Sequence, residues 1–224
     1  MHRQFEEKLN GLKDRLMEMG KLVEDMIDDA VHCLVERKRE GLSKVFQVEE
    51  KVNDLHIEMD ERVITLLALQ HPVASDLRLC VMSSKIGSEL ERMADQAINI
   101  CENTKILLDH PSLKPLIDLP RMAEITRGMV RESLESFLHK DVPQAQKVLN
   151  TDDEVDGLKD QILRELLTYI MSDPGTIPRA IPLIFISRNL ERIADHATNI
   201  AEEVIYFVQG REVRHHHEEK ARKS

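Results

Sequence analysis

The chain has 224 residues and a formal net charge of −10, from 31 Lys and Arg against 41 Asp and Glu. This acidic balance argues against binding to a nucleic-acid backbone, which requires a cationic surface. Hydrophobic residues make up 42% of the chain, enough to bury a core, whereas aromatic residues make up only 3%, which disfavours a β-sandwich or barrel.

Six long stretches that are rich in helix-forming residues alternate with clusters of proline and glycine. In chain order these stretches cover about residues 3–38, 42–70, 76–109, 121–140, 143–171 and 178–209. In the first and the last, apolar residues recur at alternating steps of four and three, which is the spacing of a heptad seam. The two seams are Phe5, Leu9, Leu12, Leu16, Met19, Val23, Met26, Ala30 and Cys33, and Ile186, Leu190, Ile193, Ala197, Ile200, Val204 and Phe207. Such seams predict helices that pack side by side in bundles.

The sequence contains an internal duplication. Residues 91–100 and 191–200 are identical at seven of ten positions, and residues 49–55 match residues 152–158 in the same order. The duplicated unit therefore contains three helices, and we predict an all-α fold of two tandem, similar three-helix bundles. The predicted organisation is a first repeat at 1–110, a linker at 111–120, a second repeat at 121–210 and a polar tail at 211–224.

Cysteine usage and hydropathy indicate the compartment. The three cysteines, Cys33, Cys80 and Cys101, are odd in number and form no CxxC motif, so we expect buried, reduced thiols. No apolar signal segment follows the N-terminus. The longest uncharged stretch, residues 63–75, is well short of the roughly 20 residues that a spanning helix requires. These features predict a cytoplasmic protein.

Pairs of oxygen-bearing side chains stand four residues apart on the second and third predicted helices of each half, a spacing that puts both on one helix face. The pairs are Glu49 with Asn53, Glu91 with Asp95, Asp152 with Asp156, and Glu191 with Asp195. The heptad register places them on the outer faces and flanks, where neighbouring helices bring them together at the bundle surface. Clustered carboxylate and amide oxygens suit hard cations such as Mg²⁺, Mn²⁺, Ca²⁺ or iron. We expect stronger binding in the second half, because Asp156 supplies a charge where Asn53 supplies none.

The alternative interpretation of these pairs is a solvated acidic face. Arg188 and Arg192 stand three residues before Glu191 and Asp195, where ordinary helix salt bridges contribute a few tenths of a kcal/mol. Two observations weigh against it: like charges four residues apart destabilise a helix, and both halves share these outward residues although packing imposes little there.

The histidines give weaker signals. His196 follows Asp195 about 100° round the helix, and we expect it at the surface or at an interface. No Glu-x-x-His pair lies beside the carboxylates, which disfavours a ferritin-like di-iron centre. The run from His215 to His217 lies in the polar tail and is expected to bind metal only opportunistically.

At these residues the chain resembles the PhoU family. The resemblance rests on the LERMAD and LERIAD blocks at residues 90–95 and 190–195, on the segment PVASDLRL at residues 72–79, and on the opening seam from Phe5 to Gly20. It covers about residues 3–210 and implies two similar three-helix bundles, in agreement with the repeat.

The resemblance also implies multinuclear metal sites on an acidic-x-x-x-Asp motif, with iron in some members. The four pairs above match this motif, and the implied ions are divalent or ferric: iron, manganese, magnesium or zinc. Asn53 stands where the full motif has Asp, so the first site is expected to be weaker or differently filled. Ala94 and Ala194 stand where the family often has Gly, which we interpret as a minor packing change.

The function implied by the resemblance is regulation of phosphate uptake and phosphate-starvation signalling rather than catalysis. We expect a negative regulator that contacts the ATPase subunit of a phosphate ABC transporter and a membrane sensor histidine kinase. It would reach the membrane only through these partners, with a second copy of the chain as a further partner.

Two alternatives from other classes stay open. One is a carboxylate-bridged metal enzyme, such as an oxidoreductase or a phosphohydrolase, and the other is a helical scaffold with or without bound metal. The enzyme requires an enclosed pocket with open coordination positions, whereas the heptad register places the pairs outside.

Overall fold

The computed structural model describes residues 2–70, 72 and 75–210, with side chains from residue 6 onward. It contains six helices: α1 (His2–Glu36), α2 (Glu40–Gln70), α3 (Ser75–Leu108), α4 (Asp118–His139), α5 (Val142–Ser172) and α6 (Ile177–Gln209). A single 3₁₀ turn, Pro174–Thr176, joins α5 to α6. No strand occurs in the described part of the chain, which confirms the all-α prediction. The polar tail 211–224, with His215–His217, lies outside the described residues.

The heptad seams form the core, as predicted. From Leu9 to Cys33 every predicted seam residue of α1 is buried, and the seam of α6 is buried from Ile186 to Val204. Phe207 is partly buried at the end of α6, and the side chain of Phe5 lies outside the described ones. Periodic burial of this kind removes apolar surface from water along the whole helix, at roughly 25 cal/mol per Å².

The helices pack as two three-helix units that share one hydrophobic core. The first three helices contact one another, and so do the last three. The two units join along α1 with α4 and along α3 with α6, so these four helices form the centre of the molecule. Within the described residues, α2 and α5 contact only helices of their own unit, and each therefore flanks the centre from outside.

Local sequence signals set the helix ends. α4 begins at Asp118, within the segment predicted as the linker, because Pro120 needs no N–H partner in a first helical turn. It ends at His139, and the C-cap residue Lys140 adopts a left-handed conformation with φ of 55°. The Asp141 side chain then caps α5 by accepting a hydrogen bond from the Gln144 amide at 3.0 Å. The connection from α4 to α5 is accordingly only two residues long.

Polar contacts cross the junction between the two units. The Arg127 guanidinium of α4 pairs with Asp28 of α1, and Lys85 Nζ of α3 lies 2.9 Å from Glu203 Oε1 of α6. His196 Nδ1 of α6 lies 2.7 Å from Glu89 Oε2 of α3, which places His196 at this interface. The junction is therefore apolar within and held by ion pairs at its margins.

The three cysteines are buried and free, as expected. Burial raises the pKa of Cys101 to about 12, which keeps this thiol protonated and unreactive. None of the helices in the described part of the chain is long and apolar enough to cross a membrane.

Candidate functional site

The predicted pairs lie on two matched helix pairs, α2 with α3 and α5 with α6, each packed side by side. We call Glu49, Asn53, Glu91 and Asp95 the first cluster, and Asp152, Asp156, Glu191 and Asp195 the second cluster. The neighbouring residues that form the core, Leu90, Met93, Leu190 and Ile193, are fully buried. Asp95, Asp156 and Asp195 are exposed, and the other five cluster residues are half-buried. This agrees with the outward register that the seams predict.

The second cluster brings its four carboxyl groups within electrostatic reach of one another. Burial, followed by the negative charges of Asp195 and Asp156, raises the pKa of Asp152 to about 7. Partial desolvation by neighbouring protein atoms, followed by the charges of Glu191 and Asp156, raises the pKa of Asp195 to about 6. Like charges held together disfavour ionisation, and a cation relieves this repulsion.

That cation is a lysine of α5. Lys159 Nζ donates to Asp156 Oδ1 at 2.9 Å and to Glu191 Oε1 at 3.2 Å, so it links α5 to α6 across the second cluster. Burial opposes its charge, but these two hydrogen bonds outweigh burial and raise the pKa of Lys159. The helix spacing alone suggested Arg188 as the ion-pair partner of Glu191. In the structure, Glu191 pairs with Lys159 instead.

The first cluster has a different polar arrangement. Asn53 Nδ2 donates to Glu49 Oε1 at 2.5 Å, which joins the two members of the α2 pair. Asn53 Oδ1 is buried and has no hydrogen-bond partner among the described residues. A buried acceptor without a partner is destabilising by about 1–3 kcal/mol. Neither Glu91 nor Asp95 forms an ion pair or a side-chain hydrogen bond with any other described residue.

A histidine takes the place of the lysine in the first half. By the offset of the repeat, His56 of α2 corresponds to Lys159 of α5. His56 Nε2 lies 3.3 Å from Ser88 Oγ and 3.7 Å from Asp60 Oδ2. It therefore contacts groups beside the first cluster and makes no ion pair with the cluster itself.

The clusters match a hard cation in chemistry but not in preformed geometry. Among residues 6–70, 72 and 75–210, no three His, Cys, Asp or Glu side chains already converge as a metal site. The donor set nevertheless consists of carboxylate and amide oxygens, which hard cations prefer. In the first cluster, the buried and unpaired Asn53 Oδ1 is an acceptor that a cation would satisfy. The residues present therefore fit a metal ion.

Sequence reasoning missed two features of this region. Lys159 stands three residues after Asp156, a spacing that signals an ion pair, but its second bond to Glu191 depends on how α5 packs against α6. Asn199, which continues the α6 pair by one turn, donates from Nδ2 to Glu89 Oε2 at 3.1 Å. Burial opposes ionisation of Glu89, yet hydrogen bonds with His196 and Asn199 hold the pKa of this carboxyl below its usual range.

Sequence comparison identifies close relatives along nearly the whole chain. The PhoU domain matches twice, at residues 16–104 and 119–204. A phosphate-specific transport system accessory protein PhoU homolog from Aquifex aeolicus is 41% identical, over 94% of this chain and 95% of that protein. The phosphate-specific transport system accessory protein PhoU of Escherichia coli is 33% identical, over 95% of this chain and 88% of that protein.

Solved structures agree with these matches. The crystal structure of PhoU from Pseudomonas aeruginosa superposes with a TM-score of 0.88 at 36% identity, over 92% of this chain and 100% of that one. The phosphate transport system regulatory protein PhoU from Streptococcus pneumoniae gives a TM-score of 0.86 at 25% identity, over 93% of this chain and 99% of that one. With both repeats matched and the fold shared, this chain belongs to the PhoU family.

Proposed function

We propose that this chain is the accessory and regulatory protein of a phosphate transport system. The observation that carries the proposal is the match, nearly end to end in both chains, to proteins named as accessory or regulatory components of phosphate transport. Both repeats take part in this match, and the whole six-helix fold is therefore the functional unit.

The regulator acts in the cytoplasm by protein–protein contact rather than by catalysis. Its partners are the ATPase subunit of the phosphate ABC transporter and a membrane sensor histidine kinase, and it restrains phosphate-starvation signalling when phosphate is ample. The outer helices support this mode of action, because both α2 and α5 expose apolar side chains. Ile64 is 65% exposed, and Leu167, at the equivalent position of the repeat, is 45% exposed. Exposed apolar residues rimmed by charges are typical of contact surfaces.

Metal binding is the second part of the proposal. The first and second clusters hold divalent or ferric ions through their carboxylate and amide oxygens, including the unpaired Asn53 Oδ1. A bound ion supplies positive charge that relieves repulsion among carboxylates and bridges to an anionic group of a partner or to phosphate. The outward position of Asp95, Asp156 and Asp195 leaves such an ion accessible to a partner.

The test is affinity purification of the tagged protein from native membranes of cells grown with abundant or with scarce phosphate. We expect the transporter ATPase subunit and a sensor kinase to co-purify, and the association to weaken as salt rises, because exposed charges are screened within about 8 Å at physiological ionic strength. In parallel, a deletion strain is expected to express phosphate-responsive genes in rich phosphate. Normal repression in that strain would contradict the proposal.

A charge-reversal variant tests the role of the clusters. The variant carries four substitutions: Glu91→Lys, Asp95→Lys, Glu191→Lys and Asp195→Lys. We expect it to co-purify less of the transporter ATPase subunit and the sensor kinase while its helices stay folded, because these residues face away from the seams. The matched control reverses four exposed carboxylates elsewhere: Asp14, Glu36, Asp109 and Glu124. If the folded cluster variant restores repression in the deletion strain as well as the control does, the working surface lies elsewhere.

A further inference from the structure

The second cluster already contains a positive charge of its own. Lys159 Nζ bonds to Asp156 on its own helix and to Glu191 on the neighbouring helix, at 2.9 and 3.2 Å, and Asp160 Oδ1 lies 3.8 Å away. The Lys159 side chain is only 23% exposed, as is that of Glu191. Charge-assisted hydrogen bonds of this kind are about twice as strong as neutral ones. One oxygen each of Asp156 and Glu191 is therefore engaged by the ammonium group.

The first cluster contains no such charge. None of Glu49, Glu91 and Asp95 forms an ion pair in the part of the chain that the structure describes. His56, which corresponds to Lys159, contacts Ser88 and Asp60 instead. Among the described residues, the bond from Asn53 to Glu49 is the only polar contact inside the cluster, and it leaves Asn53 Oδ1 buried and without a partner there.

These differences make the ligand sets unequal although their formal charges are the same. The second cluster has four carboxyl groups beside one ammonium, and the first has three carboxyl groups and an amide, so each has a formal charge of −3 when every carboxyl is ionised. A cation that takes Asp156 Oδ1 and Glu191 Oε1 as ligands displaces two charge-assisted hydrogen bonds and then lies near the released ammonium. A cation that enters the first cluster displaces no ion pair and satisfies an unpaired oxygen.

We propose that Lys159 is the built-in counter-ion of the second cluster, which excludes divalent cations there and leaves the first cluster as the site of higher affinity. The inference rests on the metal binding in the proposed function. It limits divalent-cation binding to the first cluster as long as Lys159 is present, and it reverses the order expected from Asp156 alone. The difference between the two sites thus comes from Lys159, because His56 at the equivalent position contacts Ser88 and Asp60 instead of the first cluster.

The counter-ion role is tested on the full chain without metal, in the presence of a chelator. Lys159→Gln is expected to lower Tm by about 3–6 °C, because it leaves the repulsion among the carboxylates of the second cluster without a counter-ion. Lys159→Arg is expected to keep Tm within about 2 °C of the wild type, and Glu191→Gln is expected to recover at least half of the loss when combined with Lys159→Gln. If Lys159→Gln unfolds at the wild-type temperature, Lys159 is not a counter-ion.

Exclusion of metal is tested by calorimetric titration of the stripped proteins with Mn²⁺. The double variant Glu91→Gln and Asp95→Asn, which keeps Lys159, neutralises the first cluster. It is expected to lose most of the Mn²⁺ binding of the wild type. Adding Lys159→Gln to that variant is expected to restore binding at the second cluster, with an affinity at least tenfold above the background without it. The matched control, His56→Gln, makes the same kind of change at the equivalent position and is expected to leave wild-type affinity unchanged.

The outcomes separate the inference from the proposed function. Strong Mn²⁺ binding that survives loss of the first cluster in the presence of Lys159 would overturn the exclusion. Absence of Mn²⁺ binding from every variant would overturn the metal part of the proposed function and the exclusion together. The unfolding series in chelator is independent of metal, and it supports or overturns the counter-ion role in either case.

Discussion

The two clusters occupy the same helix positions in the two repeats, but they balance their charge differently. In the first, an amide replaces one carboxylate and a histidine stands where the other half has lysine. In the second, the extra carboxylate of Asp156 is matched by the ammonium of Lys159 at 2.9 Å. The duplicated backbone thus preserves where the side chains are presented, whereas two positions three residues apart decide whether a lysine forms ion pairs within the cluster.

The carboxyl groups of the two clusters also lie in different electrostatic surroundings. Burial, followed by the negative charges of Asp195 and Asp156, raises the pKa of Asp152 to about 7 even with Lys159 present. The first cluster has its α2 members joined by a hydrogen bond between Asn53 and Glu49. A repeated fold therefore does not imply repeated chemistry, because two differences between α2 and α5, Asn53 against Asp156 and His56 against Lys159, change the charges at the cluster.

The largest expected effect comes from reversing the charge of Lys159. Lys159→Glu brings the number of carboxyl groups at the second cluster to five and removes the ion pairs with Asp156 and Glu191. We expect it to reduce the free energy of unfolding by about 3 kcal/mol. His56→Glu, at the equivalent position, is expected to reduce it by about 1 kcal/mol, because it breaks no ion pair within the first cluster. Chemical denaturation in chelator measures both. Equal losses would remove the distinction between the clusters.

The next effect concerns pH. A carboxyl whose pKa is raised in the folded state binds its proton more tightly there than in the unfolded chain, where the pKa is 3.8. Without metal, Asp152 therefore makes the protein less stable as pH rises from about 4 to about 7. Asp152→Asn is expected to flatten this slope and to stabilise the protein above pH 7 by about 1–2 kcal/mol, a value limited by partial solvent exposure.

Denaturation across this pH range, with chelator present, measures the Asp152 effect. Lys159→Arg is the control, because it keeps every carboxyl and the positive charge, and it is expected to keep the wild-type slope. A wild-type slope in Asp152→Asn would show that the four carboxyls do not act on one another as described.

A smaller effect is expected from converting the first cluster into the second type. Asn53→Asp adds a fourth carboxylate without a cation and is expected to cost about 1 kcal/mol of stability in chelator. Adding His56→Lys is expected to recover this loss and to weaken Mn²⁺ binding, as Lys159 does in the other half. Thermal unfolding in chelator measures the stability of the single and double variants, and titration with Mn²⁺ measures their metal affinity. Failure of His56→Lys to compensate would mean that the lysine acts only in the packing of α5 against α6.

The smallest effect is expected for Arg192. It stands three residues before Asp195, but Asp195 forms no ion pair with it in the described part of the chain. Arg192→Ala is therefore expected to change stability by no more than about 0.5 kcal/mol. A loss comparable to that of Lys159→Gln, measured by denaturation in parallel, would restore the interpretation of the pairs as ordinary helix salt bridges.

Much of the fold could be predicted from the sequence, because its determinants are local and periodic. The steps of four and three along α1 predict burial from Leu9 to Cys33, and each of these seam residues is buried. The start of α4 could be placed only approximately, since Pro120 is equally at home in a linker and in a first helical turn.

The site could be predicted in part. Spacing shows which side chains share a helix face, and it therefore identifies the pairs on α5 and α6. It does not show how far one helix is rotated against its neighbour. The bond of Lys159 to Glu191 depends on that rotation, and so does the contact of His196 with Glu89 on α3.

An anomalous difference map from crystals of the full chain grown with Mn²⁺ would show directly which of the two clusters binds the metal. We expect a peak at the first cluster, bounded by Asn53 Oδ1 and the carboxylates of α2 and α3. At the second cluster we expect Lys159 Nζ still bonded to Asp156 and Glu191, with no peak of comparable height. A peak at the second cluster that equals or exceeds the first, with Lys159 displaced, would contradict the account.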